Sequence, residues 1–108
     1  MKTSRHVKIV VYVPETHADI VRTAMGDAGA GHIGNYRHCS FSSLGQGRFV
    51  PHKGAHPAIG SVGKIETIAE ERIEMICAAS DAKSIIVAMK VVHPYEEVAY
   101  EIYPMLEL

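Results

Sequence analysis

What is scarce in this sequence bounds it before any motif is read. Cysteine occurs only at Cys39 and Cys77, too sparse for the disulfide framework of a small secreted domain, and the expected compartment is a reducing cytoplasm. No apolar run behind a basic start marks a signal peptide or a membrane span. Neither sign of charge prevails, because eleven Lys and Arg stand against twelve Asp and Glu for a formal charge of -1. Such a balance leaves no electrostatic footprint for nucleic acid or an anionic membrane, so neither is an expected partner. Low-complexity segments and short repeats are missing as well, although the two halves share one plan of strand, helix, polar knot and strand.

What is present fits one domain over residues 1–108, with 47% hydrophobic and 21% charged residues around a single core. A domain this small buries only about two thirds of its unfolded surface, so association with copies of itself would widen its margin.

The periodicities predict a βαββαβ order. "VKIVVYV" (Val7–Val13) is β-branched and closed by Pro14, which places it centrally in a sheet. Thr16 stands three residues before Asp19 as an approximate capping box, and Ile20, Val21, Ala24, Met25 and Ala28 recur at helical spacing up to Gly29. "YRHCSFS" (Tyr36–Ser42) alternates as a second strand, and "LGQG" (Leu44–Gly47) has turn chemistry before a short return strand over Arg48–Pro51 and a long loop. Lys64–Cys77 supplies the third strand, clearest in "RIEMIC". Ser80 or Asp81 caps a helix that stops near Pro94, and Val98–Tyr103 forms the last strand. Two helices then cover one face of a four-stranded antiparallel sheet with an extended hairpin, the ferredoxin-like α+β arrangement. Val10 and Tyr12 fall on the other face and make it apolar, which calls for a self-partner.

Two polar knots interrupt these elements, "GAGHIGNYRHCSF" (Gly29–Phe41) and "HPYEE" (His93–Glu97). The first is either a helix-terminating turn, with Gly29 in the left-handed region, or a ligand edge offering His32, Asn35, Tyr36 and His38. It follows a helix instead of leading into one, which disfavours phosphate. Cys39 adjoins His38, but neighbours on a strand point to opposite faces, so Cys39 reads as a buried small residue and not a nucleophile. In the second knot His93 closes a helix before Pro94, or else joins Tyr95, Glu96 and Glu97 in a polar ligand site. His56, His93 and Glu97 are also a candidate divalent-metal set, since imidazole and carboxylate suit zinc, manganese or iron. In a βαββαβ sheet the two knots lie at opposite ends, so a site using both must cross between subunits.

The blocks "GAGHIGNYRHCSF", "GAHPAIGSVGKIE" and "HPYEEVAYEIYP", in that order and over nearly the whole chain, resemble the YqfO-type domain, which occurs as a standalone protein and as an insert in Nif-three family proteins. The resemblance implies a CutA/PII-like fold and a homotrimer. It also brings the name GTP cyclohydrolase homologue, whose metal motifs lie in lobes this chain lacks. The expected function is a non-catalytic oligomeric binding or regulatory module, with a small polar ligand or a partner protein held in subunit clefts. The alternative is a divalent-metal-binding protein or a metal-dependent hydrolase of the cyclohydrolase-homologue type.

Overall fold

The computed structural model describes residues 1–108. Its elements are β1 (Lys2–Pro14), α1 (Ala18–Asp27), β2 (Phe41–Phe49), β3 (Glu66–Ala78), α2 (Ala82–Val92) and β4 (Tyr100–Glu107), with single 3₁₀ turns leading into both helices. The sheet runs β2-β3-β1-β4 with every neighbour antiparallel. This is the expected βαββαβ architecture.

Alternation along the two central strands builds the core. Ile9, Val11 and Val13 of β1 and Ile73, Met75 and Cys77 of β3 face the helices, where they meet Val21 and Met25 of α1 and Ile85, Ile86 and Met89 of α2. Each such large side chain contributes about 1.5–3 kcal/mol on burial, which outweighs the modest helix propensity of these segments. Ile20, counted among the periodic residues, is instead 56% exposed. At the sheet's margin Arg22 of α1 bonds Glu71 of β3, Asp19 and Ser42 of β2, pinning the helix across two strands. The terminal strands pair from Val11 against Tyr100 to Val7 against Pro104 and again at Thr3 and Lys2 against Leu106 and Glu107, with a register shift between Thr3 and Val7. Lys2 and Glu107 end that ladder in an ion pair of 3.6 Å.

Several boundaries differ from the sequence reading, each for a physical reason. Neither helix has a side-chain cap: the Thr16 hydroxyl is turned to His17 Nδ1 at 2.8 Å, and a 3₁₀ turn feeds the helix. Tyr36–Ser40 is loop, and β2 begins at Phe41. "LGQG" lies inside β2, paired with β3 from Leu44↔Glu71 to Gly47↔Ile68, and the return strand over Arg48–Pro51 does not exist. The cross-strand ladder overrides local turn chemistry here, because Gly47 leaves open the space that the Glu70 side chain occupies. The last strand begins at Tyr100, not Val98.

The face away from the helices is not the apolar surface expected. Val10 is fully covered, and around it Lys8 pairs with Glu74 at 3.2 Å, Tyr12 donates its hydroxyl to Glu101 at 2.9 Å, and the Arg72 guanidinium lies 6.0 Å from the Tyr12 ring centre. Charged stems cover the one valine. The exposed apolar residues of this face sit on the outer strands, Phe41 opposite Glu74 and Tyr103 opposite Lys8, and Leu44 of β2 and Leu106 of β4 are exposed as well.

The α1–β2 connection is fastened by backbone bonds. Gly29, at φ 114°, donates to the Gly26 carbonyl, and Ala30 donates to Met25, the paired bonds of a Schellman helix end. Gly31, at φ 80°, donates to Ile76 of β3 at 2.7 Å and accepts from the Cys39 amide at 2.9 Å. A Cβ on Gly31 would fall on the Cys39 backbone. Gly31→Ala is therefore expected to destabilise the fold by about 2 kcal/mol or more, since the left-handed region costs about 1–2 kcal/mol before any clash. Urea unfolding measures this, and a midpoint within error of the wild type would remove Gly31 from its assigned role.

Candidate functional site

A cavity of about 570 Å³ lies between the β2–β3 connection and the α2–β4 turn. Its walls come from the ends of three strands and two loops: Tyr12 of β1, Gln46 to Phe49 of β2, Glu70 of β3, residues of the loop from Val50 to Ile59, and Tyr95, Glu96, Glu97 and Ala99. β1 and β2 both finish at this end of the sheet, β3 starts there, and α2 finishes there, so the topology brings these segments together.

His93 fixes the α2–β4 turn. Its amide still donates to Met89 as the last bond of α2, while the residue is 7% exposed and its ring spans two partners. The Tyr95 amide donates to Nδ1 at 3.1 Å, which makes that nitrogen the acceptor, and so Nε2 carries the proton and donates to the Tyr12 carbonyl at 2.8 Å. Burial lowers the pKa of this imidazole, against a smaller raising effect of the Tyr12 bond. The neutral ring is the form that fits. Tyr95 is held in turn, its hydroxyl donating to Glu70 Oε2 at 3.1 Å and its ring meeting Phe49 edge-on with centres 5.8 Å apart. Burial and the neighbouring Glu70 carboxylate push the phenol pKa far up, so Tyr95 remains a neutral donor. Across the opening the His56 amide donates to Glu96 Oε1 at 2.9 Å, tying the long loop to the turn.

The residues singled out in the sequence divide into two groups. His93, Tyr95, Glu96 and Glu97 belong to the α2–β4 turn, the last three lining this cavity. His32, Asn35, Tyr36 and His38 lie at the other end of the sheet. The knot there is anchored on Ile76, level with Lys8 of β1, whereas His93 is anchored on Tyr12. Four residues of β1 separate these levels, about 13 Å at about 3.3 Å per residue. His32, Asn35 and Tyr36 stand exposed around a tight turn closed by mutual bonds between Ile33 and Tyr36. His38 adopts φ 58°, lays its ring over Gly26 and reaches Asp27 at 3.2 Å. Cys39 is half-buried in this loop and Cys77 is buried in the core, where burial pushes its thiol pKa up, away from the reactive thiolate.

The metal set His56, His93 and Glu97 does not assemble as a cage. Both ring nitrogens of His93 face protein partners, His56 contributes its backbone amide to Glu96, and no three His, Cys, Asp or Glu side chains converge to hold an ion. Tyr12, Phe49 and Glu70 escaped the sequence reading. Their signal is faint: Phe49 precedes Val50 and Pro51, a strand ending in an apolar corner, but Glu70 joins the site only through strand register, which a single sequence leaves open.

No protein-family model matches the chain. Over 98 residues it is 54% identical to a Bacillus subtilis protein named GTP cyclohydrolase 1 type 2 homolog, covering 91% of this chain and 26% of that protein. The chain thus spans about a quarter of the length of the curated relatives it matches. A Bacillus cereus crystal structure described as a protein related to NIF3 superposes with a TM-score of 0.82 at 52% identity, over 97% of this chain and 27% of that one. The periplasmic divalent cation tolerance protein CutA of Archaeoglobus fulgidus matches at TM-score 0.67 and 15% identity, covering 94% and 85% of the two chains. That last likeness establishes a shared fold.

The buried neutral His93 makes stability depend on pH. Its folded pKa lies below the ordinary 6.5, so the unfolded chain binds the proton more readily. The contribution is complete above about pH 6.5 and is lost as pH falls through that value toward the lower folded pKa. Melting temperature should accordingly fall between about pH 7 and about pH 5, and His93→Gln should flatten this part of the profile while lowering stability at pH 8 by about 1–3 kcal/mol. An equally steep profile in a folded His93→Gln protein would contradict the assignment.

Proposed function

We infer that this chain, a YqfO-like relative of NIF3-type proteins with a CutA-like fold, is a non-catalytic, self-associating binding module. The observation that carries this is the state of the polar groups at the cavity. The Tyr95 hydroxyl is committed to Glu70, Glu96 to the His56 amide, and both His93 nitrogens to Tyr12 and Tyr95. These bonds hold a shaped recess, and they give its polar groups a positioning role with no nucleophile, base and oxyanion donor set among them. Binding asks only for the recess.

Self-association is supported by the outer strands. Each has one unpaired edge, and each carries exposed apolar residues, Phe41 and Leu44 on β2 and Tyr103 and Leu106 on β4. Free edges of this kind are templates for pairing with another chain. A homotrimer formed through them brings one subunit's exposed His32, Asn35 and Tyr36 toward a neighbour's Glu96 and Glu97, which lets two knots at opposite ends of one chain share an inter-subunit cleft. An activity on GTP, suggested by the relatives' name, is the second reading. It predicts turnover that is lost in His93→Ala.

Native mass spectrometry should give a mass three times that of the chain, and a monomer at micromolar concentration would overturn the assembly. Mixing a Tyr36→Ala chain with a Glu97→Ala chain tests the cleft. Exchanged heterotrimers contain interfaces with both knots intact, and they should recover interface stability that neither mutant homotrimer has. If exchange is demonstrated without recovery, the knots do not meet.

A further inference from the structure

We propose that the cavity between the β2–β3 connection and the α2–β4 turn receives a small organic ammonium ion. This deepens the binding-module reading and rests on it: every wall of the cavity comes from one chain, while Glu96 and Glu97 at its rim also border the cleft inferred between subunits.

Volume sets the first limit. About 570 Å³ suits a small molecule and far exceeds what a bare ion fills, and no cage of three ligating side chains is present to hold one. Charge sets the second. Glu70, Glu96 and Glu97 line the cavity against a single guanidinium, that of Arg48, so a phosphate group would face three carboxylates and an ammonium would be drawn in. Glu97, exposed at the rim, takes part in none of the chain's ion pairs.

Aromatic surface provides the remaining element. Phe49 and Tyr95 form an edge-to-face corner in the wall. Ring faces attract a weakly hydrated alkylammonium, an attraction strengthened by desolvation. The Tyr95 ring is set by His93 below it and by Glu70 at its hydroxyl, so the corner is formed in advance and binding need not order it. Carboxylates with preset rings are the combination that separates a cation from a neutral molecule of the same shape.

Nuclear magnetic resonance titration of the intact protein decides the matter, using choline chloride, its uncharged carbon isostere 3,3-dimethyl-1-butanol, and inorganic phosphate at matched ionic strength. Choline should shift the Phe49 and Tyr95 ring resonances with an affinity about ten-fold above that of the alcohol, and phosphate should leave them unmoved. Glu97→Gln, compared at the same subunit number by native mass spectrometry, should weaken choline about three-fold and leave the alcohol unchanged. Phe49→Leu should weaken choline as well. Equal affinity for choline and the alcohol, ring shifts caused by phosphate, or no response to choline at tens of millimolar would each overturn the proposal. A response to phosphate or to the alcohol would still leave a binding module, whereas turnover of GTP would end that broader reading.

Discussion

A single imidazole joins the centre of the sheet to its most open corner. His93 donates from Nε2 to the carbonyl of Tyr12, on the central strand, and accepts at Nδ1 from the amide of Tyr95, two residues further along its own chain. Only a side chain that is donor and acceptor on opposite sides of a rigid ring can do both, and the neutral state is required throughout. From that bracket the arrangement spreads outward. Tyr95 is aimed at Glu70, its ring supports Phe49, and Glu96 reaches the long loop at His56. Lysine or arginine, with donors alone, would leave the Tyr95 amide without its acceptor.

The two ends of the sheet are built by different physics. At the α1–β2 end the chain is fastened by amides and carbonyls around Gly29 and Gly31, whose positive φ values exclude ordinary side chains. At the cavity end the fastening is done by side chains, and the backbone of the long loop is tied down at scattered points, such as Ala55 to His52 and Gly63 to Pro51. Backbone fastening depends on what is absent at a few positions. Side-chain fastening depends on what is present, so recognition chemistry can be altered at the cavity end by changing rim residues without rewriting the helix-terminating motif.

Much of this was legible in the sequence. The buried strand over Val7–Val13, the two helices and the Gly29 terminus follow from local periodicity and local backbone demands, which a single chain displays. Opposite placement of the two knots follows from topology. β2 was misplaced because its glycines answer to a partner: Gly45 lies opposite Glu70 and Gly47 opposite Ile68 in the ladder, a relation no pattern within β2 expresses. The uncovered face was misjudged for a similar reason. Val10 and Tyr12 read as apolar in isolation, but Glu74, Arg72 and Glu101 from neighbouring strands cover or engage them. At the cavity the four residues on one short turn were visible, while Phe49 and Glu70 arrive from other strands and had no sequence neighbour to betray them.

The pairing of β1 with β4 has a consequence for how such a fold can be housed. Lys2 and Glu107 are partners at the foot of the ladder, so the chain enters and leaves side by side along one margin. A unit with adjacent entry and exit can be spliced into a surface loop of a host polypeptide without prising the host apart, since the gap it must bridge is about the spacing between two strands. Such a unit brings its own core and its own recess with it, because neither draws a residue from beyond the paired strands.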